Sequence, residues 1–166
     1  MSGIRRIELF DRDDPCLDEV LELYLGNRGY FALAGTEMIS SDTVLGDLDA
    51  LPPSVSRQDK HFYLYREAGR PLAVLDLILR YPDEDSFFIG LFMVEGSRQR
   101  SGIGSSLYRA LELELRGLGF KRGRLGILVQ NESARCFWER VGYMPVKMAA
   151  GNAQQIQVME KVLDKV

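Results

Sequence analysis

The residues best equipped for chemistry lie in one stretch, Glu95-Gly96-Ser97-Arg98-Gln99-Arg100-Ser101-Gly102-Ile103-Gly104-Ser105. It follows the apolar run Phe87–Val94 and leads into a helical pattern. The first N–H groups of a helix have no partner inside it and sit at the positive end of its dipole, so such a turn can seat an anion. Gly102 and Gly104 let a phosphate approach the backbone with no Cβ in the way. Arg98 and Arg100 add charge-assisted donors. A tight helix entry with solvated arginines is the plainer alternative. Two nucleotide loops fail on inspection. Gly104 is followed by Ser105-Ser106, where a Walker A loop needs Lys, and Gly102-Ile103-Gly104-Ser105-Ser106-Leu107 lacks the third glycine of a dinucleotide loop.

The elements that must position this turn are legible from hydrophobic spacing. Ile4, Ile7, Leu9 and Phe10 suggest a first strand. Asp14-Pro15 reads as N-cap and first helical position, and Leu17, Val20, Leu21 and Tyr24 mark one helical face ending near Gly26. Residues 27–60 read as irregular, with one short helix at 42–50 ahead of Pro52-Pro53; loops of that length often bind something. His61–Arg66 and Pro71–Arg80 read as strands joined by Glu67-Ala68-Gly69-Arg70. Ser86–Val94 is apolar on both faces and so a buried strand. A helix over Ile103–Leu118 should bury Ile103, Leu107, Ala110, Leu111, Leu115 and Leu118. Leu125–Val129 follows as a strand. Ala134, Phe137, Trp138 and Val141 form another helical stripe, closed by Gly142 with apolar Tyr143 behind it. Tyr143–Ala149 and Gln155–Val162 are the last strands. The expected fold is α/β (α+β): one mixed, mostly antiparallel central sheet of about six or seven strands flanked by helices.

Bulk properties narrow the classes. A chain of 166 residues is the size of one domain, here expected over 1–166. Its net charge of −3 argues against a nucleic-acid coater, whose affinity comes from neutralising phosphates. The longest apolar run is far short of the roughly 20 residues that span a bilayer, and the N-terminus has no apolar core of signal-peptide length. A cytoplasmic protein with no membrane partner is expected. Cys16 and Cys136, with no CxxC and no nearby His pair, fit two free thiols better than a disulfide. Glycine is abundant at 16 residues, and Gly90, Gly96, Gly102, Gly104 and Gly142 direct attention to the 90–142 region.

Gln99-Arg100-Ser101-Gly102-Ile103-Gly104 resembles the Q/R-x-x-G-x-G/A signature of the GNAT N-acetyltransferase superfamily. Asn131-Glu132-Ser133-Ala134-Arg135-Cys136-Phe137-Trp138-Glu139-Arg140-Val141-Gly142-Tyr143 is similar to that family's N-x-x-A-x-x-[LF]-Y-E-x-x-G-[FY] element. The resemblance runs from about Ser86 to Tyr143. It implies acetyl-CoA as co-substrate, no metal, and an amine acceptor on a small molecule or peptide. Amides from Gln99 to Gly104, with Arg98, Arg100 and Ser105 nearby, would hold the pyrophosphate. Backbone groups of Phe92, Met93 and Val94 would pair with the pantetheine arm, and Asn131, Phe137 and Trp138 would border the cofactor. Gly90 would mark a bulge exposing an N–H to the thioester oxygen, or else simply relieve packing. Asn131 is also a natural N-cap, and Trp138 a natural core residue. A homodimer is a partner the resemblance allows.

Two departures stand out. The family often has Tyr where this chain has Trp138, and that Tyr protonates the departing thiolate, a role an indole cannot take. The base is also unassigned, although freeing a primary amine of its proton costs about 4.6 kcal/mol at pH 7. Phe87–Val94 holds no acid. Asp76, which interrupts the apolar run Leu72–Leu79, is the candidate catalytic residue; an ion pair with an arginine or a solvent-facing position would also explain it. Glu37 is a second acid to consider, and Tyr30 and Phe31 are candidate acceptor-pocket walls. Asp42, Asp47, Asp49, Asp83, Glu84 and Asp85 would suit a cationic amine. The expected function is an acetyl-CoA-dependent N-acetyltransferase, with a non-catalytic acyl-CoA-binding module as the alternative.

Overall fold

The computed structural model describes residues 3–150 and 154–164. Strand β1 (Ile4–Glu8) is followed by helices α1 (Leu17–Leu25), α2 (Arg28–Leu33) and α3 (Ser41–Asp49), then by strands β2 (Lys60–Glu67), β3 (Arg70–Leu79) and β4 (Ser86–Val94). Helix α4 (Ile103–Gly117), β5 (Arg122–Leu128), α5 (Glu132–Arg140), β6 (Met144–Ala150) and β7 (Gln155–Val162) complete the chain. The strands form one seven-stranded sheet in the order β1-β2-β3-β4-β5-β7-β6. Every pairing is antiparallel except β4 with β5.

The sheet carries a core on each face. Leu17, Val20, Leu23 and Tyr24 of α1, with Val44 and Leu48 of α3, cover Phe62, Leu64, Val74 and Met93. Leu107, Tyr108, Leu111 and Leu115 of α4, with Trp138 of α5, cover Leu75, Leu77, Phe87, Ile89 and Leu125. Successive strand residues alternate between these two layers, which is why the apolar runs of β3 and β4 show no polar face.

Local chemistry sets the helix ends. The Asp14 carboxylate accepts the Cys16 N–H at 2.9 Å and its carbonyl accepts Leu17 N–H at 3.0 Å, turning the chain into α1. α5 closes in a Schellman motif: Gly142 adopts φ +107°, its N–H bonds Glu139 C=O at 3.0 Å, and Tyr143 N–H bonds Trp138 C=O at 2.9 Å. Gly119, at φ +96°, ends α4 the same way.

Three readings from sequence need correction. Residues 27–60 hold α2 as well as α3; α2 is too short to show periodicity and buries only Phe31. Ala110 and Leu118 are exposed at α4, and Tyr108 and Glu112 take their places in the buried stripe. β5 begins at Arg122, ahead of Leu125, because its first residues are charged or glycine. Cys16 and Cys136 are both free thiols. Among the described residues, no helix is long and apolar enough to cross a membrane.

Candidate active site

β4 organises the site. It pairs with β5 only from Ser86↔Arg122 to Ile89↔Leu125, after which both strands run on without pairing each other. A wedge therefore opens between Gly90–Val94 and Gly126–Leu128. At its apex β4 carries a bulge: Ile89 faces Leu77 and Leu91 faces Asp76, so Gly90 is the extra residue. Past the bulge, Glu95 N–H bonds Leu72 C=O of β3 at 2.8 Å. Backbone direction alternates along a strand, so Met93 also faces β3, while Phe92 and Val94 turn their N–H and C=O groups into the wedge. Met93 is therefore not a backbone partner for anything bound there; its side chain is buried beneath α1.

The glycine-rich turn closes the wide end of the wedge. Gly102, at φ +85°, and Arg100, at φ +61°, swing the chain into α4. Ser106 N–H is the first amide of the helix to be bonded, to Gly102 C=O at 3.1 Å; the N–H groups of Arg100 to Ser105 donate to no acceptor among the described residues. Gly104 packs so closely that a Cβ there would stand 3.3 Å from the Phe137 ring. The turn thus has the amides, dipole and space for an anion.

The charged side chains are partly committed elsewhere. The Arg98 guanidinium pairs with Glu67 on the β2–β3 hairpin, so it is not a free donor to the turn. Ser101 Oγ donates to the Arg98 carbonyl. Gln99 Nε2 donates to Val94 C=O at 2.9 Å and to Asn27 Oδ1 at 2.6 Å, and Asn27 Nδ2 donates to Leu23 C=O at 2.9 Å. Asn27 thereby ties α1 to the end of β4, a role no local motif signals.

Asp76 stands against the bulge. A Cβ on Gly90 would lie 2.6 Å from Asp76 Oδ2, so glycine serves both the bulge and the close approach. Asp76 is buried on the α1–α3 face, and its partner is a lysine, not an arginine: Lys60 Nζ lies 2.7 Å from Oδ1. Burial pushes the Asp76 carboxyl up to about 6, a rise that Lys60 holds in check. Behind the pair, Tyr24 donates to Asp47 Oδ2 at 2.6 Å, and burial raises both groups.

The other candidates fall outside this cluster or into the core. Trp138 is 6% exposed and packs with Phe92, Phe137, Tyr108 and Tyr143. Asn131 caps α5, its Oδ1 accepting Ala134 N–H at 3.1 Å. Phe31 is buried against Tyr24, while half-buried Tyr30 packs edge-on to Phe31 at 5.0 Å. Glu37 is exposed in the link after α2 and forms no ion pair among the described residues. Two of the surrounding acids are ion-paired, Asp49 with Arg12 and Asp85 with Lys121, and Asp83 accepts from the Ser86 hydroxyl.

Comparison with known proteins points in one direction. The sequence pattern of the Acetyltransferase (GNAT) family matches residues 19–143. The fold matches an acetyltransferase from Thermus thermophilus with a TM-score of 0.77 and 18% identity, covering 97% of each chain. It also matches the ribosomal-protein-S18-alanine N-acetyltransferase of Escherichia coli, at TM-score 0.70 and 14% identity over 98% of this chain and 96% of that one. A third match is the PaiA N-acetyltransferase of Thermoplasma acidophilum in complex with coenzyme A, at TM-score 0.68 and 16% identity over 98% and 100% of the two chains. The comparison with curated proteins gives no match.

Proposed function

The chain belongs to the GNAT acetyltransferase family, and from that premise we propose that it moves an acetyl group from acetyl-CoA to a primary amine of a small molecule or peptide. The reading is a direct attack of the amine on the thioester, within one domain spanning residues 1–166. What supports it most is the meeting along β4 of an unpaired strand edge, an unpaired helix N-terminus, and a glycine bulge with a carboxylate against it.

The residues present suit this co-substrate. The amides of Arg100 to Ser105 would hold the pyrophosphate, joined by the Arg100 side chain. The open backbone groups of Phe92 and the N–H of Val94, whose carbonyl is already taken by Gln99 and Asn27, would take the pantetheine arm as an added strand, with Phe137 as a wall. When bound, acetyl-CoA supplies the acetyl group as an activated thioester. Transfer forms an N–C bond, breaks a C–S bond and leaves one proton to be taken from nitrogen. Asp76 is the group beside the bulge that can take it, and a carboxyl at about 6 is mostly ionised at pH 7 yet basic enough to accept a proton. Trp138 contributes packing, not a proton, so the sulfur leaves as thiolate. One neighbour in fold acts on a protein alanine, which keeps a peptide amine in scope alongside small molecules.

A second reading, an acyl-CoA-binding module without turnover, draws on the burial of Trp138 at the family's acid position and on the Lys60 partner of Asp76. One experiment separates the two. Free-thiol release is followed over a panel of amines with acetyl-CoA, beside a calorimetric titration of acetyl-CoA alone. Binding with turnover of any amine supports the transferase; binding with none supports the module; no binding sinks both.

A further inference from the structure

The proposed transfer uses Asp76 but leaves unexplained the cation buried beside it. Lys60 opens β2 with only 2% of its side chain exposed. Lysine at a strand end ordinarily runs its stem over apolar surface and keeps the ammonium in water. Here the head turns inward, between Phe62 and Asp76, 5.7 Å from the Phe62 ring centroid and 2.7 Å from Asp76 Oδ1. Its hydrogen bond goes to the Asp47 carbonyl of α3 at 2.7 Å, while Asp76 holds it as an ion pair, so it is held at two points. Burying an ammonium is costly, and an apolar pair of similar volume is often the more stable choice. Fold stability alone therefore does not account for this arrangement.

The geometry gives the lysine a task. Asp76 has two oxygens with different neighbours: Oδ1 meets Lys60, while Oδ2 is the atom that a Gly90 Cβ would strike at 2.6 Å. We propose that Lys60 is a positioning residue for the acetyl transfer, pinning Oδ1 of Asp76 so that Oδ2 is presented at the Gly90 bulge. The inference rests on Asp76 acting as the base. The charged groups facing Asp76 are Lys60 from β2, Asp47 from α3 and Arg57 from the 3-10 turn before β2; α1 contributes the Tyr24 hydroxyl to Asp47, and β4 offers only Gly90 and Leu91. Arg57 is hooked onto the carbonyls of Leu48 and Asp49, at 3.0 and 3.3 Å, which leaves Lys60 as the cation in contact. Lys60 and Arg57 both favour the carboxylate, whereas desolvation and Asp47 oppose it.

Lys60→Met keeps the stem and removes the charge. The carboxyl-carbon NMR signal of Asp76 is followed in protein carrying 13C-labelled aspartate and identified by its loss in Asp76→Asn. In Lys60→Met its titration midpoint should fall at a proton concentration at least tenfold lower than in the wild type. With the amine that the thiol-release panel identifies, the acid limb of kcat/KM should move to higher pH in step, kcat at pH 7 should fall about tenfold, and KM for acetyl-CoA should stay within twofold. An Asp76 midpoint that does not move, or a wild-type kcat and limb in Lys60→Met while Asp76→Asn is inactive, overturns the proposal. Wild-type kcat in Asp76→Asn overturns instead the assignment of Asp76 as base, and is read separately. If Lys60→Met does not fold, the wild type decides: the Lys60 Nζ resonance should follow the Asp76 titration, and an Nζ signal indifferent to it overturns the pairing.

Discussion

Alanine at position 90 would place a methyl group 2.6 Å from Asp76 Oδ2. Asp76 is short and tied to Lys60, so it has little freedom to retreat. Either the carboxylate leaves the bulge or the bulge flattens. Gly90→Ala should therefore cost ten- to a hundredfold in kcat, about 1.4 to 2.8 kcal/mol of barrier, while acetyl-CoA affinity, set at the far end of the wedge, changes little. Steady-state kinetics beside calorimetry checks this; equal losses in both would show that position 90 shapes the cofactor seat instead.

At the scale of the elements, the entry to α4 is the sensitive place. A Cβ on Gly102 would meet nothing within 4 Å, so the residue is glycine for its φ of +85° and not for space. Gly102→Ala should cost about 1 kcal/mol in backbone strain and leave the core untouched. Acetyl-CoA binding should weaken several-fold as the amides of Ile103 to Ser105 lose their common aim. A titration with unchanged affinity would refute the anion seat. What can be read from sequence follows the same line between local and distant. The turn at Gly102, the cap at Asn131 and the stop at Gly142 depend on near neighbours, and each stands where residue spacing puts it. Asp76 is legible as an acid in an apolar strand, and Gly90 as a glycine in one. Lys60 and Asn27 are not. Lys60 reads as an ordinary charged strand end until β3 brings Asp76 alongside, and Asn27 acquires its role by meeting Gln99 and the Val94 carbonyl across the sheet end. Arg98 misleads for the same reason, since Glu67 claims it from a hairpin. Tyr108 escapes notice because an aromatic beside Leu107 widens the buried stripe beyond the leucine spacing.

For the molecule as a whole, Asp76 links the site to stability. Its carboxyl rises on folding from 3.8 to about 6, so the native state binds its proton more tightly than the unfolded chain does. Through that window the native state carries more protons, and the contribution of this group to stability falls as pH rises. Asp76→Asn removes that fall. Thermal melts of both proteins between about pH 4 and 7 should show the difference in Tm shifting in favour of the asparagine variant as pH increases. Parallel profiles would mean that Asp76 titrates alike in the folded and unfolded chains. The variant also loses the partner of buried Lys60, which sets its offset but not this slope.

The split between β4 and β5 has a signature in hydrogen exchange. Met93 and Glu95 donate into β3, whereas Phe92 and Val94 point their N–H groups into the wedge. Exchange should alternate residue by residue along one strand, slow at Met93 and Glu95, fast at Phe92 and Val94, in the middle of a seven-stranded sheet where uniform protection is the norm. Saturating acetyl-CoA should slow the two fast amides and leave their neighbours as they were. The strand would then carry, at single-amide resolution, a record of whether its open edge has been filled.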